Sequence, residues 1–451
     1  MNATATTREA PYYRGSSLIL GSLLDLERDP AGFMQMLTNQ YSEIVRLRMF
    51  RMNIYLCIHP DAVSHVLHDN HMNYDKQTFD YKMLGDRLLG KGLLTNDGPA
   101  WLKQRRLSQP AFHHKRIQKY SEIMQECTAE LIENWSQRDG ETLDMSEEMA
   151  NLTLKIVGRT LFSLDMTGQS GEIGDAFSRA NHLMTRRIFA TSPPFVNFMP
   201  LDWKLRSAAR RLRAVVGQII EQRKGKEDQF DDLLSMLMGA RDDEGNQMDT
   251  EQLKDEVLTL LLAGHETTAN ALTWSFHLLA RNPDEQGRLF DECSAALGKS
   301  VADFQTVPKL QRARMVMEES MRIYPPAWSI GRRCIKEDAI MGYRIEPGSL
   351  MFLAQLVTHR HPAFWDNPLE FRPERFQEGK KNSHGYAYFP FGGGPRLCIG
   401  ADFAMMESII ILSALVSRFE FESVKDQVSM ELLITLRPAG GMPMRIHKRP
   451  N

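Results

Sequence analysis

The sequence predicts a mainly α protein with a minor β part, built as one large domain. Three observations point there. Apolar residues recur at helical spacing through most of residues 59–304. Stretches with strand character are short and flank that block, instead of alternating with helices as βαβ units do. No repeat or low-complexity linker divides the 451 residues, although that length exceeds a usual single domain.

The elements follow in order. "PAGFMQMLTNQY" reads as a short helix, and "EIVRLRMFRMNIYLCI" as strand, turn and strand, rich in β-branched and aromatic residues. "NDGPAWLKQRRLSQPAF" opens a helix at Asp97 to Pro99, where the residue types suit a cap and a first turn. "TSPPFVNFMPLD" is an apolar, proline-punctuated loop. A long helix covers about residues 249–280 and stops at "RNPDEQ". Beyond Pro325, "CIKEDAIMGYRIEPGSLMFLAQL" reads as short strands and turns, and an irregular stretch of some length follows, which is usually functional. A buried helix is expected over about residues 399–419, and "LLITLRPAGGMPMRI" reads as a closing β-hairpin.

Composition excludes several classes. The net charge is −2, so no charge excess argues for nucleic acid. The five cysteines are scattered without a C-x-x-C, which excludes a disulfide framework and fits a reducing cytoplasm. Residues 17–26 are too short and interrupted to span a bilayer, and the start lacks a signal-peptide pattern. The expectation is a cytoplasmic, monomeric protein without a membrane anchor: an N-terminal segment over 1–29 and one catalytic domain over 30–451.

"FPFGGGPRLCIG" then stands out, because it places Cys398 in a glycine-rich turn at the mouth of an all-round apolar helix. A helix N-terminus favours an anion and so a thiolate. Gly392, Gly393, Gly394 and Gly400 leave the backbone bare for something flat, and Arg396 adds a cation. A lone cysteine is ordinarily a small buried hydrophobe. A single thiolate beside room for a planar group instead suggests heme iron.

The spacing Phe391-x-x-Gly394-x-Arg396-x-Cys398-x-Gly400 resembles the heme loop of the cytochrome P450 superfamily. Other stretches resemble that family in its order. "WLKQRR" supplies Trp101 and Arg105 for the heme propionates. "AGHETT" supplies Ala263 and Gly264 over the porphyrin, Glu266 and Thr267 as an acid–alcohol pair that feeds protons to bound oxygen, and Thr268 beside them. The resemblance places His265 facing away, not as a second iron ligand. Threonines there could equally bond back to carbonyls one turn earlier and widen the helix locally. "EESMRIYPP" and "RPERF" give Glu319, Arg322 and Arg375, which the resemblance assigns to a buried structural triad. A third propionate partner comes from "GRRCIKED", with Arg333 favoured over Arg332.

The resemblance thus implies a single cytochrome P450 fold, with the long helix over heme and the cysteine loop beneath. It implies heme b (iron protoporphyrin IX) on Cys398, O2 as co-substrate, and a lipophilic substrate. Electrons would come from a ferredoxin or flavodoxin with its reductase. "HHKR" (113–116) and "EGKK" (378–381) could offer that partner a basic rim, or be ordinary solvated lysines. By family position the pocket is lined by residues 71–96, 184–199, 326–330 and 436–441 with Ala263. Phe189, Phe195, Phe198 and Trp328 are its prominent aromatics, and Arg51 and Tyr55 are candidates to hold a fatty-acid carboxylate. A fatty acid, terpenoid, steroid or polyketide fits such a pocket. A peroxide-driven peroxygenase and a non-enzymatic heme-thiolate sensor are the rival readings.

Overall fold

The computed structural model describes residues 7–17, 19–164, 183, 200–241, 244–379 and 384–449. The early strands form where β-branched residues cluster: Ile44–Met49 and Met52–Cys57 pair antiparallel across a tight turn. Met52–Cys57 then pairs in parallel with Leu350–Leu353, whose other edge takes Ile330–Cys334, followed by Tyr74–Asp75. This five-stranded sheet is the main β part. The first residues run along its edge, where Tyr13 N–H donates to Arg46 O at 3.0 Å and Arg46 N–H to Pro11 O at 2.8 Å, while Arg8 N–H donates to Gly342 O in the separate hairpin of residues 338–345.

Helices make up the rest. The longest, Thr250–Ala280, is capped by Asp249, whose carboxylate accepts the Gln252 N–H at 2.7 Å. It is apolar on most faces because helices surround it, chiefly Met145–Phe162, with Pro200–Arg223 and Gln311–Ile323 beside it. No π-turn interrupts it, so the local widening expected around the threonines is absent. The cysteine helix spans Ala401–Val416, starting two residues later and ending three earlier than read from sequence. It is buried by His114–Trp135, Pro283–Leu297 and Gln311–Ile323.

The tail differs from the expected single hairpin. Met430–Leu432 and Leu436–Pro438 form one, but Pro443–Lys448 leaves it to pair with Phe419–Ser423 and Thr142–Asp144. The two glycines 440 and 441, both at positive φ, turn the chain between the two sheets. The apolar loop of residues 191–202 falls largely outside the described residues. Among the described residues no helix is long and apolar enough to cross a membrane.

Candidate active site

The long helix, the cysteine loop and the main sheet enclose a cavity of about 610 Å³. Its floor is the loop before Ala401. Here Gly392 N–H donates to Phe389 O at 2.9 Å, Leu397 N–H to Gly394 O at 3.1 Å, and Cys398 N–H to Phe391 O at 3.0 Å. These bonds turn the loop so that Cys398 alone of the five cysteines is exposed, and it opens on the cavity. Gly400 is the helix N-cap.

The glycines have a reason the sequence did not show. Gly394 sits at φ 61°, and a Cβ there would lie 1.8 Å from Leu67 O; one on Gly393 would lie 2.5 Å from the Tyr386 ring. They let the loop press against its own protein. Cys398 also departs from expectation. Its surface opens on the cavity inside the protein, and the desolvation of that interior position pushes its thiol up from the ordinary value, which the Gly400 N–H and the Arg105 guanidinium offset only in part. The helix end alone does not make a thiolate there. A cation bound at the sulfur would.

One end of the cavity gathers cations. Arg396 ion-pairs with Asp97, donates to Asn96 O at 3.1 Å, and lies 4.0 Å over the Trp101 ring. Lys76 is buried and donates to Leu94 O at 2.7 Å. Arg332 is buried beside them. Burial, with Arg332 and Arg396 nearby, drives the Lys76 amine well below its ordinary value; Asp97 and Asp80 do not compensate. Burial likewise brings Arg396 down to about 10. Three cations face two carboxylates. Arg105 stands nearer the sulfur, donating to Leu397 O at 2.8 Å. A flat group carrying two carboxylates, set over Cys398, matches both the charge deficit and the thiol, so the residues present fit heme.

Above the floor, Ala263, Gly264, Glu266, Thr267 and Thr268 all face the cavity and His265 does not. Burial lowers His265 to about 4, so it is neutral. Thr267 Oγ1 donates to Ala263 O at 2.7 Å and Thr268 Oγ1 to Gly264 O at 3.1 Å. Glu266 Oε1 accepts from Thr435 Oγ1 at 2.7 Å, and Thr435 in turn accepts from Asn270 at 3.2 Å. An acid and two alcohols thus stand on one face of the groove, with the acid held from the terminal hairpin.

Behind the loop lies the buried triad. Arg322 makes two bonds to Glu319, at 2.7 and 2.8 Å, and reaches His359 O and Pro368 O; Arg375 meets Glu319 at 3.2 Å and Asp366 O at 2.6 Å. Both Glu319 and Arg322 are fully buried.

The comparisons decide the family. A family model for cytochrome P450 matches residues 12–442. Cyclooctatin synthase of Streptomyces melanosporofaciens is 35% identical over 423 residues, covering 91% of this chain and 89% of the relative. This chain belongs to the cytochrome P450 family. Cyclooctat-9-en-7-ol 5-monooxygenase of the same organism is 32% identical over 97% of this chain and 95% of the relative. Pentalenene oxygenase of Streptomyces avermitilis is 29% identical over 90% of each. The P450 family uses heme on a cysteine thiolate with O2, and this P450 is a monooxygenase.

Three expectations are corrected, two of them by strand alternation. On Met52–Cys57 the residues facing the cavity are Met52, Ile54 and Leu56. Tyr55 therefore points to the opposite face, into a second core with Val63, Val66 and Cys334, and cannot hold a substrate. Arg51 is exposed at the turn and does not line the cavity. On Ile330–Cys334, Arg332 faces the cavity while Arg333 turns outward to a bidentate pair with Asp75, at 3.0 and 2.5 Å.

Residues 326–330 line the cavity as expected, with Trp328 Nε1 donating to Leu433 O at 2.8 Å. The terminal contribution is Leu433, Ile434 and Thr435, not residues 436–441. Phe189, Phe195 and Phe198 lie outside the described residues. Lys76 and Tyr81 lie in the stretch 71–96 expected to line the pocket, but sequence reasoning gave Lys76 no part at the cofactor end and missed Thr435. Lys76 had a signal, a lysine directly after the two-residue strand Tyr74–Asp75. Thr435 had none, since it comes to Glu266 through tertiary pairing.

Proposed function

We propose that this P450 oxygenates a neutral, cyclic terpenoid, with heme b held by Cys398 and by Lys76, Arg332, Arg396 and Trp101. The observation that carries this is where the cavity's charges sit. Among the described residues its charged lining residues are Lys76, Asp80, Arg105, Glu266, Arg332 and Arg396. Five belong to the cofactor end and one to the oxygen groove. The wall of Met34, Leu37, Leu47, Ile54 and Leu56 has no charge to receive a carboxylate. A neutral hydrocarbon skeleton suits it and a fatty acid does not. Two of the relatives named above are a pentalenene oxygenase and a cyclooctat-9-en-7-ol 5-monooxygenase, which supports the same choice.

Heme bound through Cys398 supplies the activation of O2 and the transfer of one oxygen atom to carbon. The chain supplies the rest. The apolar wall excludes water and holds the substrate over the groove. Thr267 releases its bond to Ala263 O and turns its hydroxyl into the cavity. Glu266, steadied by Thr435, returns protons to it, an acid within reach of the group it serves. Electrons arrive from a ferredoxin or flavodoxin at the face where Leu397 is exposed beside Cys398. Of the expected basic rim, Arg116 is tied to Asp231, and Lys380 and Lys381 lie outside the described residues.

The test is a spin-state titration of the heme-loaded protein with cyclic sesquiterpenes, cyclic diterpenes and long-chain fatty acids. A saturable high-spin shift with a terpenoid and none with fatty acids is expected; the reverse overturns the substrate reading. Turnover with peroxide but none with reduced ferredoxin would instead favour a peroxygenase.

A further inference from the structure

The segment from Gly90 to Asp97 lies against the long helix and serves both ends of the cavity. Leu93 and Leu94 line the cavity, Leu94 O receives the Lys76 amine, and Asn96 O and the Asp97 carboxylate receive Arg396. Two adjacent acids of the long helix hold the segment there. Asp255 accepts the Lys91 N–H at 2.7 Å, and Glu256 Oε2 accepts the Leu93 N–H at 3.0 Å. The approach is close: a Cβ on Gly90 would strike the Asp255 carboxylate, and one on Gly92 the Thr259 hydroxyl. Gln104 adds a bond to Lys91 O at 2.7 Å.

The two acids are not equivalent. Asp255 is offset by Arg213, which reaches it at 2.6 Å from Pro200–Arg223. Glu256 has no exposure, and among the described residues its Oε1 has no hydrogen-bond partner. An anion there would have one N–H to solvate it and Asp255 to repel it, whereas a neutral acid is tolerated. Resting on the monooxygenase reading, we propose that Glu256 is a positioning residue: as a neutral acid it clamps the segment of residues 90–97 onto the long helix, and its ionisation lifts that segment from the substrate wall and the cofactor end together. Water must enter to solvate the anion, and the glycine-jointed segment is the side that can part.

The electrostatics agree. Burial first, and Asp255 after it, push the Glu256 carboxyl up to about 8, with the Leu93 N–H opposing them. The ionisable groups on this side are Lys91 of the segment, Arg87 of the turn Gly85–Leu89, Asp255 of its own helix and Arg213. On Met145–Phe162, Lys155 and Arg159 turn away to Glu130, and Leu233–Gly239 carries no ionisable group. Of these, Asp255 is the charge that bears on Glu256. The linkage sign follows. The native state keeps a proton that the unfolded chain loses above about pH 4.3, so Glu256 withdraws stability as pH rises from there to its folded value.

The experiment titrates heme-loaded protein with phenylimidazole, an apolar ring with an iron-ligating nitrogen, and reads the Soret shift as a function of pH. In wild type the apparent Kd should rise about tenfold between about pH 7 and 9, the response of a site that needs the protonated acid. Heme loss to a scavenging globin should accelerate over the same range. Glu256→Gln, neutral throughout, should hold its neutral-pH affinity and heme retention across the range. It should also gain thermal stability over wild type progressively from about pH 5 to 8. Asp255→Asn removes the repulsion and should move the wild-type bend to lower pH. A flat profile in wild type, or a bend that persists in Glu256→Gln, overturns the proposal. Failure of the monooxygenase reading shows separately, as wild type lacking the thiolate-type absorption shift with CO.

Discussion

Two clusters of charge lie on either side of the cysteine loop, and they are built on opposite terms. The Glu319–Arg322–Arg375 triad is closed: one carboxylate, two guanidiniums, and backbone carbonyls to take the remaining N–H groups. The Lys76–Arg332–Arg396 cluster is open. Its cations crowd one another, Asp97 is shared, and Lys76 is driven toward neutrality. The first is complete in the folded chain, and the second needs an anionic guest. A buried charge network therefore shows by its balance whether it is scaffold or receptor.

Breaking the closed cluster should have the largest effect. Arg322→Leu leaves Glu319 buried without its bidentate partner and should cost about 3–5 kcal/mol. Chemical denaturation should show the loss with and without heme alike. If only the heme-loaded protein suffers, the triad belongs to the receptor and the comparison fails.

The open cluster should answer in the other direction. Lys76→Met should release heme to a scavenging globin about tenfold faster, one charge-assisted bond being worth roughly 1.5–3 kcal/mol. Without heme it should be no less stable than wild type at neutral pH. The depressed amine gives wild type a further signature. Its native state holds fewer protons than the unfolded chain, so heme-free wild type gains stability as pH rises toward the unfolded lysine value of about 10.4. Lys76→Met should lack that gain.

The smallest effect sharpens the boundary. Arg332→Leu should speed heme loss, whereas Arg333→Leu should leave it unchanged and cost about 0–1 kcal/mol, since Arg333 turns away from the cavity and its pair with Asp75 remains partly open to water. Equal effects from both would undo the assignment of faces.

The sequence disclosed the helical block, the early hairpin, the cysteine loop and the triad, because each rests on local spacing. It missed wherever one strand face had to be chosen. The resemblance favours Arg333 over Arg332, but side-chain direction on Ile330–Cys334 follows register against Leu350–Leu353. Tyr55 failed for the same reason. The glycines of the loop were legible as necessary, yet their partners, Leu67 O and the Tyr386 ring, come from distant chain.

The parallel pairing of Ile54 with Leu350 sets a timetable for synthesis. At about 5–20 residues per second, the first of these leaves the ribosome's catalytic centre some 15–60 seconds before the second. Until then Met52–Cys57 has only its hairpin partner, and the wall of Leu47, Ile54 and Leu56 faces water. Cys398 comes later still. Heme therefore has no complete seat on the nascent chain, and its capture belongs to the last stage of maturation, when a nearly finished polypeptide closes around it.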